Sequence, residues 1–446
     1  MGPLDRAGAD RSDRTGATWT NWAGDRSCRP RDLVRPGSLR ELSEVVAAGA
    51  AAGRQITVAG SGHSFSGAAM SDDLMLDVGA LSGVIEADRA GGLVRVGGGT
   101  VLAELNRELD RLGLAMPNLG DIDRQTIGGA ISTATHGTGA ELPNLAAQVE
   151  AIELLGPDGE VRRLTAGGDP ELLRAARVGV GSLGVITAVT LRTVPSFNLH
   201  RVDAPMPLDE VLNEFDRLAG ENEHFEFFIF PHTETALTIR RNRTERPPAP
   251  RGRLERYLSD VVIENGLGNL ALKATGKVPT AIPRTARFSS KFMAQAEQVD
   301  VSHRVFANYR TIRFTEMEYA LPREAAPEAL LRVLDLIRTE RFPLAMPIEC
   351  RVVAGDDALL SPTHERASAY LAVHQYHGLV WRPYFEAIER VFDSYRGRPH
   401  WGKRHSKDAA ALAPLYPEWA RFRAARDELD PGRVFSNAYV REVLGP

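Results

Sequence analysis

The chain has 446 residues, which is enough for two or three domains of ordinary size. Lysine and arginine total 54, aspartate and glutamate total 58, and this near balance argues against a nucleic-acid-binding protein. No run of about 18 apolar residues occurs, so no transmembrane helix is predicted. The two cysteines, Cys28 and Cys350, are far apart and predict neither a disulfide framework nor a metal site. These properties are typical of a cytoplasmic, enzyme-sized globular protein.

The first part of the chain has the pattern of a mixed α/β domain. Residues 1–17 are polar and rich in glycine, and they are predicted to form a disordered leader. SLRELSEVVAAGAAAG has apolar residues at helical spacing and ends at Gly53, a suitable C-cap. RQITVAG and GVITAVTLRTV are predicted strands, and VEAIELLGPDGEVRRL is a predicted hairpin with Asp158 and Gly159 at its turn. A first domain is therefore predicted at 18–195.

The second part, residues 196–446, has the strand–loop–helix order of a sheet covered by helices. HFEFFIFPHTETALTIRRNRTE predicts two strands with strict alternation, and residues 252–300 predict helical pieces. RFTEMEYALP, AMPIECRVVAG and AYLAVHQYHG predict three more strands, with one long helix after the first and another at 382–396. The expected fold class is α+β with two domains, the second built on a mixed or antiparallel sheet covered by helices.

Three glycine-rich segments lie within the first domain: VAGSGHSFSG from Val58, GGAISTATHGTG from Gly128 and GVGSLG from Gly179. Glycine, serine and threonine supply backbone N–H and hydroxyl donors without bulk. A single segment of this kind is most often an ordinary turn. Three in one domain favour loops that converge on a long polyanionic ligand, and FAD fits that description. The first segment also contains an imidazole, that of His63.

GVGSLG matches the G-x-G-x-x-G pattern of dinucleotide-binding domains. That pattern must lie between a strand and a helix, with an acidic residue about 20 positions further on. Here a run rich in β-branched residues, 185–194, follows directly. A nicotinamide-binding Rossmann domain is therefore rejected.

In PIECRVVA the strand period of two places Glu349 and Arg351 on one face, about 7 Å apart along the chain. Opposite charges within an apolar strand are costly unless they are paired or functional. The pair therefore indicates either a catalytic site or a surface ion pair worth at most about 1 kcal/mol. His374 shares a strand face with Ala372 by the same period, and Lys403 lies in RPHWGKRH, which could also be a solvated basic loop.

Together, VAGSGHSFSG, TIGGAISTATHGTG and GVGSLGVIT resemble the FAD-binding domain of the vanillyl-alcohol-oxidase superfamily. FTEMEYALP, PIECR and PHWGKRH extend the resemblance to its sugar-1,4-lactone oxidase branch. That branch includes L-gulono-1,4-lactone and D-arabinono-1,4-lactone oxidases and the actinobacterial L-gulono-1,4-lactone dehydrogenase type. The resemblance runs from about Thr18 to Pro446. It implies an FAD-binding domain of the PCMH type at 18–195 and a substrate or cap domain at 196–446, whose C-terminal part returns to the flavin.

The resemblance also implies which residues hold FAD. His63 corresponds to the position that in many members bonds covalently to the 8α carbon of the flavin, whereas some members hold FAD without that bond. His400 is implied to lie near the cofactor, and Ile186 to hold the adenine side through its backbone. Contacts to the pyrophosphate are implied for Gly60, Ser61, Gly62 and Ser64. The loop beside the ribityl chain and ring is implied to contain Gly128, Gly129, Ser132, His136, Gly137 and Thr138.

For the catalytic half, the resemblance implies oxidation of L-gulono-, L-galactono- or D-arabinono-1,4-lactone, with hydride transfer from a CH–OH carbon to flavin N5. Glu349 would orient the substrate hydroxyl, and Arg351 and Lys403 would stabilise developing negative charge. His374 would line the substrate pocket. Electrons would pass to O2 or to a cytochrome c-like or quinone acceptor. The resemblance also implies another histidine in alditol oxidases where this chain has Ala372, which argues against an alditol substrate.

Three alternatives stay open at this point: an alditol oxidase, an oxidase of the decaprenylphosphoryl-ribose type, and a non-catalytic flavin-binding protein. PIECR together with HWGK argues against the second. The expected partners are a small sugar lactone or polyol and the electron acceptor, with no nucleic acid. The expected location is the cytoplasm, with peripheral association with the inner face of the membrane as a further possibility.

Overall fold

The computed structural model describes residues 17–249, 295–307, 312–344 and 346–446. Residues 1–16 of the predicted leader and the predicted helical pieces at 252–294 lie outside this part of the chain. The helical prediction is wrong for the end of that stretch, because Ala296–Val301 is a strand that pairs with Asn198–Pro207. The alternation of apolar and polar residues in this strand is too short for the strand to be recognised without its partner.

The first part of the chain forms strands β1 to β12 and helices α1 to α4. The strands are β1 Trp19–Thr20, β2 Ser27–Cys28, β3 Asp32–Val34, β4 Ile56–Ala59, β5 Leu74–Asp77, β6 Val84–Asp88, β7 Leu93–Gly97, β8 Leu114–Ala115, β9 Val149–Leu155, β10 Val161–Thr165, β11 Val185–Arg192 and β12 Val194–Pro195. The helices are α1 Leu39–Ala51, α2 Leu102–Arg111, α3 Ile127–Ser132 and α4 Pro170–Arg177.

Two larger sheets organise these elements. Strands β3, β5 and β4 form a three-stranded parallel sheet. Strands β10, β9, β11, β7 and β6 form a five-stranded antiparallel sheet, and the predicted β9–β10 hairpin is confirmed. Helix α1 begins after Ser38, whose hydroxyl accepts a hydrogen bond from the Glu41 N–H at 3.2 Å. It buries Leu42 and Val46 and ends just before the predicted glycine cap.

The second part forms strands β13 to β20 and helices α5 to α12. The strands are β13 Asn198–Pro207, β14 His224–Ile229, β15 Thr235–Thr244, β16 Ala296–Val301, β17 Phe314–Pro322, β18 Ile348–Val353, β19 Ser368–Tyr376 and β20 Arg398–Pro399. The helices are α5 Leu208–Asn213, α6 Phe215–Glu221, α7 Ser302–Phe306, α8 Ala326–Glu340, α9 Arg382–Asp393, α10 Ala409–Leu412, α11 Trp419–Leu429 and α12 Ala438–Leu444. None of the helices in the described ranges is both long and apolar enough to cross a bilayer.

These eight strands form one sheet in the order β16-β13-β15-β14-β18-β19-β17-β20, and every pair is antiparallel. On β18, Ile348, Cys350 and Val352 point into a buried apolar core that also contains side chains of α5, α6, α8 and α9. Glu349 and Arg351 alternate with them and point to the opposite face. The predicted helix-covered sheet is confirmed, and its other face is polar but buried.

The end of the chain packs back against its first part. Trp401 and Phe422 belong to the same apolar core as Ile127 of α3. Phe435 belongs to a second core, with Leu42 of α1. Residues from about 400 onward therefore lie beside the glycine segments as well as beside the large sheet. The expected domain boundary at residue 195 stays a prediction.

Candidate active site

The first glycine segment leaves strand β4 and passes beside the start of helix α3. A side chain at Gly60 would overlap with Thr126, the N-cap residue of α3, so the approach requires glycine. The N–H of Trp22 donates a 2.8 Å hydrogen bond to the Gly62 carbonyl. The Ser64 carbonyl also accepts a hydrogen bond from the hairpin formed by β1 and β2. The loop is therefore held on one side by α3 and on the other by the N-terminal hairpin.

His63 lies in this loop with its ring stacked on Trp22, at a centroid distance of 5.5 Å and an interplanar angle of 24°. Its Nδ1 atom is buried, with no hydrogen-bond partner among the described residues. Burial, reinforced by the charges of Arg124 and Lys403, lowers the pKa of His63 to about 4. The imidazole is therefore neutral at pH 7, the form in which a ring nitrogen can act as a nucleophile.

The second glycine segment begins as helix α3. Gly128 N–H donates to the Gly98 carbonyl at 3.0 Å, and Gly129 N–H donates to the Thr126 hydroxyl at 3.4 Å. The Ser132 hydroxyl donates to the Gly128 carbonyl at 2.7 Å. The hydroxyl of Ser132 is thus engaged within α3, and the glycines bring the helix close to its neighbours.

The same segment then reaches the large sheet. A side chain at Gly137 would overlap with Asn118, so the two backbones approach more closely than any other residue allows. The Thr138 hydroxyl donates to the Phe225 carbonyl on β14 and accepts a 3.2 Å hydrogen bond from Val352 N–H on β18. These bonds attach the second glycine segment directly to the sheet.

The third glycine segment is followed at once by strand β11, which confirms the rejection of a Rossmann domain. Ile186 lies on β11, and its carbonyl would overlap with a side chain at Gly98. The Val180 N–H donates a 3.0 Å hydrogen bond to the Ser132 carbonyl at the end of α3. The second and third segments therefore meet around α3.

A bulge directly after strand β20 carries two of the predicted site residues, His400 and Lys403. His400 N–H donates to the Glu318 carbonyl and Arg404 N–H donates to the Glu316 carbonyl, both at 3.0 Å. Between these two bonds to β17, residues 401–403 project from the edge of the sheet. The indole N–H of Trp401 donates to a buried backbone carbonyl at 2.7 Å and anchors the bulge.

Lys403 projects from this bulge into a buried network. Its Nζ lies 2.5 Å from Glu316 Oε2 and 3.9 Å from Glu318 Oε2. Burial lowers the pKa of Lys403, but the two carboxylates outweigh burial and the pKa is raised. Next to it, the Gly402 carbonyl accepts a 2.8 Å hydrogen bond from Phe65 N–H in the first glycine segment. The alternative of a solvated basic loop is therefore wrong.

Glu349 and Arg351 are 3% and 7% exposed, so the alternative of a surface ion pair is wrong. Arg351 Nη2 lies 2.5 Å from Glu349 Oε1 and 3.4 Å from Asp121 Oδ1. Arg351 Nε donates to Glu226 Oε2 at 2.9 Å. One guanidinium therefore joins three carboxylates that come from β18, β14 and the loop before α3.

Glu226 is shared between two arginines. Its other oxygen, Oε1, accepts a 2.8 Å hydrogen bond from Arg241 of β15. Burial raises the pKa of Glu226, but Arg241 and Arg351 lower it more, to about 2. Burying charged side chains destabilises the folded protein unless each charge has its opposite charge beside it. Arg351 is therefore fixed in orientation by its neighbours.

His374 lies on β19, in register with Glu316 on β17. Its Nδ1 is 2.9 Å from the Pro347 carbonyl and its Nε2 is 3.6 Å from Glu316 Oε1. Both neighbours are acceptors, an arrangement that favours a proton on each ring nitrogen. Burial lowers the pKa of His374, but Glu316 and Glu349 outweigh burial and the pKa is raised.

His136, Glu318 and His400 form a buried cluster whose ligand atoms lie within 4.8 Å of one another. His136 Nδ1 donates to the Gly137 carbonyl at 2.8 Å, and its Nε2 is 3.3 Å from Glu318 Oε1. His400 Nδ1 accepts a 3.0 Å hydrogen bond from Gly402 N–H, so its Nε2 carries the proton. With Nε2 protonated, the one lone pair of the His400 ring is at Nδ1, where it accepts the Gly402 N–H. The geometry favours a hydrogen-bonded cluster around Glu318.

Several residues of this network are absent from the sequence prediction. They are Asp121, Glu226, Arg241, Glu316 and Glu318. Glu316 and Glu318 alternate in FTEMEYALP just as Glu349 and Arg351 alternate in PIECR, so the period of two could have found them. The other three carry no such signal, because their contacts depend on strand order and loop path.

The residues present fit an FAD molecule. Glycine loops approach one another closely around α3, and the first of these loops carries a neutral buried imidazole with an unpartnered nitrogen. Glycine-rich loops with exposed N–H groups suit a pyrophosphate. Gly60, Ser61, Gly62 and Ser64 would hold the pyrophosphate and His63 would lie at the flavin ring. The segment with Gly128, Gly129, Ser132, His136, Gly137 and Thr138 would lie beside the ribityl chain and ring.

Comparisons with known proteins agree with this chemistry. A family model described as an FAD binding domain matches residues 30–165. A second model, described as D-arabinono-1,4-lactone oxidase, matches residues 189–443, more than half of the chain. Among solved structures, cholesterol oxidase from B. sterolicum aligns with a TM-score of 0.80 over 98% of this chain and 97% of its own, at 17% identity. That likeness establishes the fold.

Curated relatives match over nearly the full length. The chain is 45% identical to L-gulono-1,4-lactone dehydrogenase from Mycobacterium tuberculosis, covering 96% of this chain and 99% of that protein. It is 34% identical to bovine L-gulonolactone oxidase, covering 96% and 98%. It is also 32% identical to alditol oxidase from a Streptomyces species, covering 95% and 98%. The chain therefore belongs to the D-arabinono-1,4-lactone oxidase family of FAD-dependent oxidoreductases.

Proposed function

We propose that this protein oxidises a hydroxyl-bearing carbon of a sugar-1,4-lactone, with L-gulono-, L-galactono- and D-arabinono-1,4-lactone as candidate substrates. The observation that carries this proposal is the buried Glu349–Arg351 pair on the sheet face that also carries His374. The glycine segments and the bulge with Lys403 join the same sheet. Bound FAD supplies the two-electron acceptor for this chemistry.

Glu349 orients the substrate hydroxyl and accepts its proton as the carbon is oxidised. Arg351 lies 2.5 Å from one Glu349 oxygen and fixes the direction of the carboxyl group. Because Arg351 also contacts Glu226 and Asp121, its own charge is already balanced. Its contribution is therefore mainly to hold Glu349 rather than to bind the product.

The cations on the other side of the site stabilise the negative charge that develops during oxidation. Lys403 is held by Glu316, and the doubly protonated ring of His374 shares the same carboxylate. His374 is buried and Lys403 is partly buried, and charge stabilisation is stronger where water is excluded. Ala372 presents only a methyl group between Glu349 and Glu318, which are its partners on the two neighbouring strands.

His63 and His400 are proposed to face the cofactor. The unpartnered Nδ1 of His63 and its neutral state support a covalent bond to the flavin. His400 is buried, and burial lowers its pKa to about 3, so it contributes a neutral donor. The backbone around Ile186 is proposed to hold the adenine side, which the close approach of its carbonyl to Gly98 supports.

The electron acceptor is proposed to be O2 or a cytochrome c-like or quinone partner. A cytoplasmic location is supported by the two cysteines, Cys28 and Cys350, which are both buried and unpaired. Association with the inner face of the membrane would fit a quinone acceptor. Cell fractionation with antibody detection would test both locations.

The deciding experiment is anaerobic mixing of the purified yellow protein with a panel of substrates, followed by the flavin absorbance. Bleaching by one of the three lactones is expected, and recolouring by air or by cytochrome c would identify the acceptor. Bleaching by alditols alone would replace the lactone with an alditol. Bleaching only by a polyprenyl-phosphoryl sugar would indicate the other oxidase class. No bleaching by any of these compounds would favour a flavin-binding protein without this activity.

A further inference from the structure

Glu316 divides its carboxylate between two cations that come from different parts of the chain. Its Oε2 lies 2.5 Å from Lys403 Nζ in the C-terminal bulge. Its Oε1 lies 3.6 Å from His374 Nε2 on the neighbouring strand. Glu316 is itself only 4% exposed, so these contacts are made away from bulk water. Among the described residues, no other carboxylate forms an ion pair with both cations.

The state of His374 depends on what faces it. Pro347 supplies a carbonyl acceptor at Nδ1, and Glu316 of β17 supplies the acceptor at Nε2. Glu349 of β18 is the other negative group that acts on the ring, and the Phe314 ring contacts it edge-on at 5.3 Å. If the Glu316 carboxylate were replaced by a group that donates a hydrogen bond, Nε2 would have to accept that bond. It could do so only without its own proton.

We propose that Glu316 is a positioning residue that keeps His374 doubly protonated and Lys403 in place at the same time. Two positive groups then face the reacting centre, and one carboxylate holds both of them. This inference rests on the proposed function for the roles of Lys403 and His374 in oxidation. The contacts of Glu316 with both groups do not rest on it, because they are distances between named atoms.

Glu318 offers a matched comparison on the same strand. It shares the strand face and the burial of Glu316, but its nearest side-chain partner is His136 at 3.3 Å. Its distance to Lys403 is 3.9 Å, and no ion pair with His374 is recorded. Glu318→Gln therefore removes a buried charge next to the same site without changing the acceptor at His374.

The test is histidine-selective 15N NMR of the FAD-loaded protein, with the His374 signals identified by His374→Asn. In the wild type, both nitrogens of His374 are expected to carry protons at pH 7.5. In Glu316→Gln, the amide N–H2 faces Nε2, and the ring should become neutral with its proton on Nδ1. Glu318→Gln and Glu316→Asp should both retain the imidazolium. A neutral ring in the wild type, or a charged ring in Glu316→Gln, overturns the proposal.

A kinetic readout separates this role from a merely structural one. In Glu316→Gln, kcat/KM should fall roughly tenfold between pH 5.5 and pH 8, because the ring loses its proton in that range. The wild type should show no such loss, and Glu316→Asp should restore its profile. An unchanged profile in Glu316→Gln overturns the proposal. If no substrate is oxidised, the proposed function fails, but the NMR result still decides the protonation state of His374. If Glu316→Gln does not fold, the wild-type spectrum alone decides that protonation state.

Discussion

Phe65 and Gly402 are joined by a 2.8 Å hydrogen bond from the N–H of the first to the carbonyl of the second. Phe65 follows His63 by two positions, and Gly402 directly precedes Lys403. The Phe65 ring also lies 5.4 Å from Lys403 Nζ. The loop with the candidate flavin-linking histidine and the bulge with the candidate catalytic lysine are thus one unit, although they are far apart in sequence.

Glu349→Gln should lower kcat by roughly 10²–10³-fold, because the amide cannot take the substrate proton. Arg351 would keep its contacts to Glu226 and Asp121, so the FAD spectrum should not change. Steady-state rates and the absorbance of the purified variant check this. Glu160→Gln, at the exposed end of the β9–β10 hairpin, is the control and should behave as the wild type. Full activity in Glu349→Gln would show that another group accepts the proton.

His63→Ala should abolish covalent flavin attachment, because it removes the buried Nδ1 that has no partner in the described part of the chain. After acid precipitation, the wild type should give a yellow pellet and the variant a yellow supernatant. His377→Ala, at an exposed position, is the control and should retain the yellow pellet. A yellow supernatant from the wild type would show that FAD is held without a covalent bond.

Gly137→Ala should destabilise the protein by about 1–3 kcal/mol, because the added methyl group overlaps with Asn118 and the backbone beside it. FAD should also be retained less well during gel filtration, since this loop joins the sheet. Gly220→Ala in α6 is the matched control, where the added methyl group has no atom within 4 Å. That change should stabilise the helix by about 0.5–1 kcal/mol. Urea unfolding of both variants measures the difference, and equal stabilities would contradict the steric argument.

Acidification from pH 7 to pH 5 should lower the free energy of unfolding. Burial lowers the pKa of His224 to about 4 and that of His400 to about 3, whereas an unfolded histidine titrates near 6.5. In this range the unfolded chain binds protons that the folded chain excludes, at a cost of roughly 1.4 kcal/mol per pH unit for each group. His374 has a raised pKa and acts in the opposite direction.

Urea unfolding of the FAD-loaded protein at several pH values measures this slope. His224→Gln should make the dependence on pH shallower, because one of the excluded protons is removed. His377→Ala, at an exposed position, should leave it as it is. A slope that stays the same in His224→Gln would show that other groups cause the pH dependence.

The local sequence pattern predicted the strands that carry the site better than it predicted which strands lie next to one another. The alternation in PIECR correctly placed Glu349 and Arg351 on one face, because strand geometry fixes that relationship within a few residues. Sequence could not show that Glu226 joins Arg351, since that contact requires β14 to lie beside β18. Asp121 was missed for the same reason, because its position depends on the path of the loop before α3.

Sequence also could not separate a buried network from a solvated loop around Lys403. Several basic residues surround it in RPHWGKRH, and such composition is typical of an exposed segment. The bulge at 401–403 decides the matter, because its two flanking hydrogen bonds to β17 direct Lys403 toward Glu316. Those bonds come from tertiary structure, which a local pattern does not contain.

The return of the last part of the chain to the first core also joins a distant segment to the loop that carries His63. The Asn437 amide donates hydrogen bonds to the Ala68 and Met70 carbonyls, at 3.0 and 2.9 Å, in the loop after His63. Its Oδ1 accepts the N-terminal bond of helix α12 from Val440 N–H at 2.8 Å. The loop after His63 is therefore completed by a side chain that lies 369 positions further along the sequence than Ala68.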